Sequence, residues 1–133
     1  MRKDIEIPKV KGVELAIVKE EEVGHDSWKV YLMNKNQFDI DNVLVSSKGY
    51  GTIDGENRQT SILRHLIGKV DSQDYALIEP IDPEVFTLSN EYWVSYRANG
   101  KVYDKKYVFV EGAIKEENLI EIKMLGKKGV LHN

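Results

Sequence analysis

The chain has 133 residues, a net charge of −3 and a pI near 5.7, with 41% hydrophobic and 31% charged residues. This is the composition of one soluble globular domain, expected here over residues 1–133, and its acidic balance argues against wrapping nucleic acid, which calls for a basic face. There is no cysteine, which excludes disulfides, thiolate nucleophiles and cysteine-held metals.

The N-terminus, MRKDIEIPKVKGVELAIV, starts basic, but Asp4, Glu6, Lys9, Lys11 and Glu14 interrupt any apolar stretch, so no Sec signal peptide is expected. No run of about 18 apolar residues occurs. The expected location is the cytoplasm, with which the lack of cysteine is compatible.

Hydrophobic residues recur with period two almost throughout, the signature of half-buried strands. Val13, Leu15 and Ile17 alternate with Glu14 and Ala16. The acidic run Glu20 to Glu22 reads as a solvated loop. Trp28, Val30 and Leu32 form the next strand, followed by a turn at Asn34-Lys35-Asn36 and by Ile40, Val43 and Val45. Gly49, Gly51 and Gly55 mark a middle loop whose glycines are expected to supply positive φ. Further strands are expected at Ser61–Ile67, Tyr75–Ile81, Tyr92–Arg97, Val102–Val110 and Leu119–Leu125, with a short helix at Lys115–Asn118 and a frayed tail at His132. Strands this short and this regularly punctuated predict an all-β protein: an antiparallel immunoglobulin-like (Greek-key) β-sandwich of about seven to nine strands. Trp28 on an early strand and Tyr92 near the start of a late one, where a tyrosine corner would stand, fit that pattern; the Cys…Trp…Cys signature is absent.

The clearest local signal is Asn99-Gly100, a two-residue hairpin turn between EYWVSYRA and KVYDKKYVFV. Such a turn pairs Ala98 with Lys101, Tyr96 with Tyr103 and Tyr92 with Tyr107. One face then carries Tyr92, Val94, Tyr96, Tyr103, Lys105 and Tyr107; the other carries Trp93, Ser95, Arg97, Val102, Asp104, Lys106 and Val108. The tyrosine face is the expected core, with Lys105 needing water or a carboxylate, unless a bulge turns Val108 and Val110 inward. The competing reading is a stacking platform in which tyrosines and nearby cations hold bases or a sugar.

Chemical motifs are sparse. KGYGTIDGEN is neither G-x-G-x-x-G nor a P-loop. Asp39 and Asp41 with Asp54 or Glu56 offer oxygen ligands for calcium, but no DxDxDG loop is present. His25, His65 and His132 form no metal-binding pair. His65, with Ser61 four residues upstream, leaves a Ser-His-acid site open, without a G-x-S-x-G elbow. Catalytic, cofactor and metal-binding residues are therefore all expected to be none.

Six segments carry a resemblance: KDIEIPKV (Lys3–Val10), WKVYL (Trp28–Leu32), VLVSSKG (Val43–Gly49), TSILRH (Thr60–His65), YDKK (Tyr103–Lys106) and GKKGVL (Gly126–Leu131). They are similar to a family of short bacterial proteins of unknown function, some of which bear the label phenylalanyl-tRNA synthetase alpha subunit. That label implies a large mixed α/β catalytic domain with an arginine-bearing ATP motif, for which 133 residues of β pattern leave no room. The resemblance implies at most an accessory β domain near a synthetase, and it carries no functional residue.

The expectation is a non-enzymatic, cytoplasmic protein-interaction module with an unidentified protein partner. Its candidate contacts are Trp93, Arg97, Lys106 and Tyr50, or sheet edges open to strand addition. The alternatives are a nucleic-acid or tRNA-associated domain and a hydrolase using His65.

Overall fold

A computed structural model describes residues 8–133. Most of the Lys3–Val10 segment lies outside the described residues. Among the described residues ten strands follow one another: β1 (Val13–Glu22), β2 (His25–Asn34), β3 (Ile40–Ile53), β4 (Glu56–Gln59), β5 (Leu63–Val70), β6 (Asp74–Pro80), β7 (Ser89–Ala98), β8 (Lys101–Phe109), β9 (Ile120–Ile122) and β10 (Lys127–His132). They form two antiparallel five-stranded sheets that pack as a sandwich. The first has the order β6-β2-β1-β10-β9; the second has the order β4-β3-β7-β8, with β5 also paired to β3. Short 3₁₀ turns cover Pro83–Thr87 and Glu116–Asn118, the latter within the expected helix. Among the described residues no helix is long and apolar enough to cross a membrane.

The strand count exceeds the expected seven to nine for identifiable reasons. Strand β4 reads ENRQ and is exposed along its whole length, so it has no apolar alternation to betray it. Within the expected strand Leu119–Leu125 only the three residues of β9 form a strand, and the segment after it, Lys127–His132, is itself strand β10. His132 is therefore not frayed: it pairs with Leu15, and its ring lies edge-on to Tyr107 at 5.2 Å. Glu20 to Glu22 also belong to a strand, paired with Ser27, Asp26 and His25 in the β1–β2 hairpin.

The middle loop is likewise a strand. Gly49 and Gly51 lie within β3, which runs unbroken to Ile53. They are not needed for positive φ; of the three glycines only Gly55 has it. Gly49 is there for close approach, since a Cβ would sit 3.2 Å from both Asn90 Oδ1 and Thr60 Cγ2.

The β7–β8 hairpin has the register read from its turn: Ala98–Lys101, Tyr96–Tyr103 and Tyr92–Tyr107 are partners. Asn99 and Gly100 take φ of 52° and 76°, the positive pair that matches strand twist in a two-residue turn. Tyr92, Val94, Tyr96, Tyr107 and Phe109 are buried against Leu15, Ile17, Val30 and Leu32 of the opposite sheet. No bulge carries Val108 or Val110 inward; Phe109 takes the core position. Tyr96 and Tyr103 stack at 5.1 Å and 9°, worth about 0.5–1.5 kcal/mol beyond burial. Lys105 is resolved without a carboxylate: its ammonium lies 4.8 Å from the Tyr107 ring centroid, at the sheet edge. The buried Tyr107 hydroxyl donates to the Val13 carbonyl at 2.5 Å and ties the sheets together.

A second, smaller cluster of Ala16, Val18, Met33, Ile122 and Leu125 covers the outer side of the first sheet. Burial on both faces explains why β1 reads Ala-Ile-Val without a polar interruption.

Candidate functional site

Two places in the fold gather chemistry: a polar network between the sheets and the outer face of the second sheet.

The network begins with an irregularity. Strict alternation in β6 would turn Ala76 and Ile78 inward and Glu79 outward. The β2–β6 register shifts between Val30 and Tyr31, so Ile78 and Glu79 are both buried. The Glu79 carboxylate then crosses to three adjacent strands of the other sheet. Its Oε1 accepts from Ser47 Oγ on β3 at 2.9 Å and meets His65 Nε2 on β5 at 2.6 Å. Its Oε2 accepts from the Tyr92 hydroxyl on β7 at 3.0 Å. A buried carboxylate is tolerable only with such partners. Burial, reinforced by the Glu79 charge, pushes the Tyr92 phenol far above its usual range, so it remains a donor.

A cleft of about 310 Å³ opens beside this network. Ser47, Glu79 and Tyr92 line it, with Thr60, Leu63 and Asp82. Two backbone groups of its wall have side-chain partners: Gly49 N–H donates to Thr60 Oγ1 at 2.7 Å, and Asn90 Nδ2 donates to the Val85 carbonyl at 2.9 Å.

The network bears on the Ser-His-acid idea. A carboxylate and a hydroxyl do lie near His65, but the carboxylate stands between them. A working triad needs the imidazole to take the serine proton. Here the Ser47 proton is directed at Glu79, and His65 ends on the same oxygen. Ser61, the serine noted in the sequence, lines the cleft without joining the network. The proposed calcium ligands do not converge either. Asp39 accepts from Ser72 N–H and faces Lys69, and among the described residues no three His, Asp or Glu side chains are placed to hold a metal.

The outer face of the second sheet is set by register. One row across β5, β3, β7 and β8 runs Arg64, Ser46, Trp93, Lys106; the next runs Leu66, Leu44, Ser95, Asp104. Arg97 follows, between Asp41 and Val102, while Tyr50 lies at the other end, beside Ser89 and Gln59. The structure thus brings Trp93, Arg97, Lys106 and Tyr50 to one face, although Tyr50 is half-buried under Lys48, whose ammonium is 5.8 Å from its ring. Trp93 is 45% exposed and Leu66 87%. Among the described residues Arg64, Arg97 and Lys106 form no salt bridge.

No family model, curated protein or solved structure matches this chain.

The tyrosine stacking platform is overturned by burial: Tyr92 and Tyr96 are 1% and 2% exposed and face the other sheet. Sequence reasoning missed Glu79, Arg64 and Leu66. For Glu79 the available signal was an acid ending an apolar run, Ala-Leu-Ile-Glu-Pro. Arg64 and Leu66 became visible only once β5 was paired with β3.

Proposed function

We propose that this chain is a non-enzymatic protein-interaction module that binds its partner through the outer face of β5, β3, β7 and β8. The observation that carries this reading is Trp93, nearly half exposed among Arg64, Arg97 and Lys106, which form no salt bridge among the described residues. Tryptophan and arginine are the residues that most often supply binding energy at protein interfaces. The matching partner presents an apolar residue to Trp93 and Leu66 and carboxylates to the three cations. An acidic chain that gathers unpaired cations around its exposed tryptophan is suited to steering such a surface into register.

The strand pairings support an immunoglobulin-like version of the sandwich. The neighbours β1–β2, β2–β6, β3–β7 and β7–β8 correspond to the pairs A–B, B–E, C–F and F–G. Strands β9 and β10 are additions to that pattern, and Tyr92 bonds a side chain rather than the upstream backbone of a tyrosine corner. The cytoplasmic assignment rests on composition.

The test is site-specific photocrosslinking in cells, with the reactive residue in place of Trp93 and, as a control, in place of the fully exposed Val23 on the β1–β2 turn. A discrete protein adduct is expected from position 93 alone. That protein, purified, should bind the wild type and lose about 30-fold or more with Trp93→Ala, the size of a hot-spot truncation. Equal adducts at both positions, or an adduct with nucleic acid, would overturn the reading.

A further inference from the structure

We infer that the cleft beside Glu79 is a binding site for a small aliphatic cation, with an ammonium or guanidinium group on an apolar stem. The inference does not depend on the outer face. It starts from the acceptor count of Glu79. A carboxylate offers about four acceptor positions. Ser47 and His65 occupy two on Oε1, and Tyr92 occupies one on Oε2. One position on Oε2 is left for a donor. Ser47, Glu79 and Tyr92 line the cleft, whereas His65 is not part of its lining.

The rest of the lining selects the ligand class. Leu63, Ile81 and Val85 give apolar wall suited to methylenes. Asp82 adds a second carboxylate; its Oδ1 caps the 3₁₀ turn through Glu84 N–H, which leaves Oδ2 for a second donor. Lys48 also borders the cleft, but its ammonium is drawn to the outer face, toward Glu91 at 3.9 Å and the Tyr50 ring. Two carboxylates and an apolar wall in one lining fit a cation carried on a short apolar chain. A cleft of about 310 Å³ is at the small end of ligand pockets and suits a small ligand. Agmatine and spermidine are of that size and charge.

The experiment titrates the full chain with agmatine and spermidine, using 1,5-pentanediol as an uncharged control, and follows melting temperature and amide chemical shifts. The expected result is a rise in melting temperature with both cations and none with the diol, with shift changes centred on Ser47, Gly49, Ser61 and Leu63. Glu79→Gln should weaken binding at least about tenfold. Because that variant disturbs the inter-sheet network, Leu63→Trp provides a second arm: Leu63 is 50% exposed, so filling the mouth should abolish binding while the fold persists. No response at about 10 mM, near the weak limit of specific binding, would overturn the inference. So would an equal response to the diol, or cation binding unchanged by Leu63→Trp.

Discussion

Glu79 and Glu20 are two carboxylates with similar company and different work. Each accepts from a tyrosine hydroxyl and faces a nitrogen donor: Tyr92 and His65 for Glu79, Tyr31 and Lys29 for Glu20. All partners of Glu20 lie in its own sheet, on β2 and β10, where the backbone ladder already fixes their spacing. The partners of Glu79 lie on three strands of the opposite sheet. Their side chains hold two layers together at an edge where β5 and β6 have no backbone hydrogen bonds to each other. The same chemistry therefore decorates one site and joins the sandwich at the other.

The comparison is tested most severely at Glu79. Replacing it with alanine leaves the Tyr92 and Ser47 hydroxyls and the His65 ring without their shared acceptor. The expected loss is about 3–5 kcal/mol, as for removing one partner of a buried ionic cluster. Urea denaturation measures it; a loss below about 1 kcal/mol would place Glu79 in the same class as a surface pair. Tyr92→Phe removes one donor and keeps the ring against Phe109 (6.1 Å between centroids). The expected loss is about 1–2 kcal/mol.

Much of this contrast could be read in the sequence on one side and little on the other. The hairpin faces were legible because Asn-Gly sets the register without help from the rest of the chain. Once register is set, alternation assigns Tyr92 inward and Trp93 outward. Glu79 was not legible because alternation failed there: a bulge at Ile78, created by pairing with β2, turned it inward. Gly49 failed similarly. A glycine in KGYG suggests a loop, but this one is in a strand because Thr60 and Asn90 crowd it. Local signals carried turns and faces; features that arise between distant strands did not show.

A smaller effect is expected on the surface side, and it is a pH effect. Burial alone would raise the Glu20 carboxyl, but hydrogen bonds from Lys29 and Tyr31 outweigh it and hold the carboxyl below its usual range. The lowered folded value means stability that is complete above the unfolded carboxyl range, near pH 4.5, and lost as pH falls through the folded value. Lys29, whose pKa is itself raised by its hydrogen bond to Glu20, stays charged across that window. Solvent screening limits the amount to less than about 1 kcal/mol. Glu20→Gln should flatten the wild-type fall in stability below pH 4.5 by that amount and leave stability near neutrality within the same margin. Burial and the neighbouring Glu20 push the Tyr31 phenol up to about 12, so it titrates outside this window. A steep acid dependence retained in Glu20→Gln would move the effect to another carboxylate.

The smallest stability effect is expected at Trp93, and its smallness is informative. Trp93 follows Tyr92 in β7 but faces solvent, paired across the strands with Ser46 and Lys106. Trp93→Ala removes cross-strand contact with one small and one flexible side chain, worth about 0.2–1 kcal/mol. Partner affinity, in contrast, should fall by about 2 kcal/mol or more if this indole is the anchor. Stability and binding thus separate at Trp93, and in the opposite sense at the buried Tyr92, whose replacement by Phe should lower stability and spare partner affinity. A stability loss above about 2 kcal/mol would mean that the indole is packed into the fold, and the outer face would then lose its tryptophan anchor.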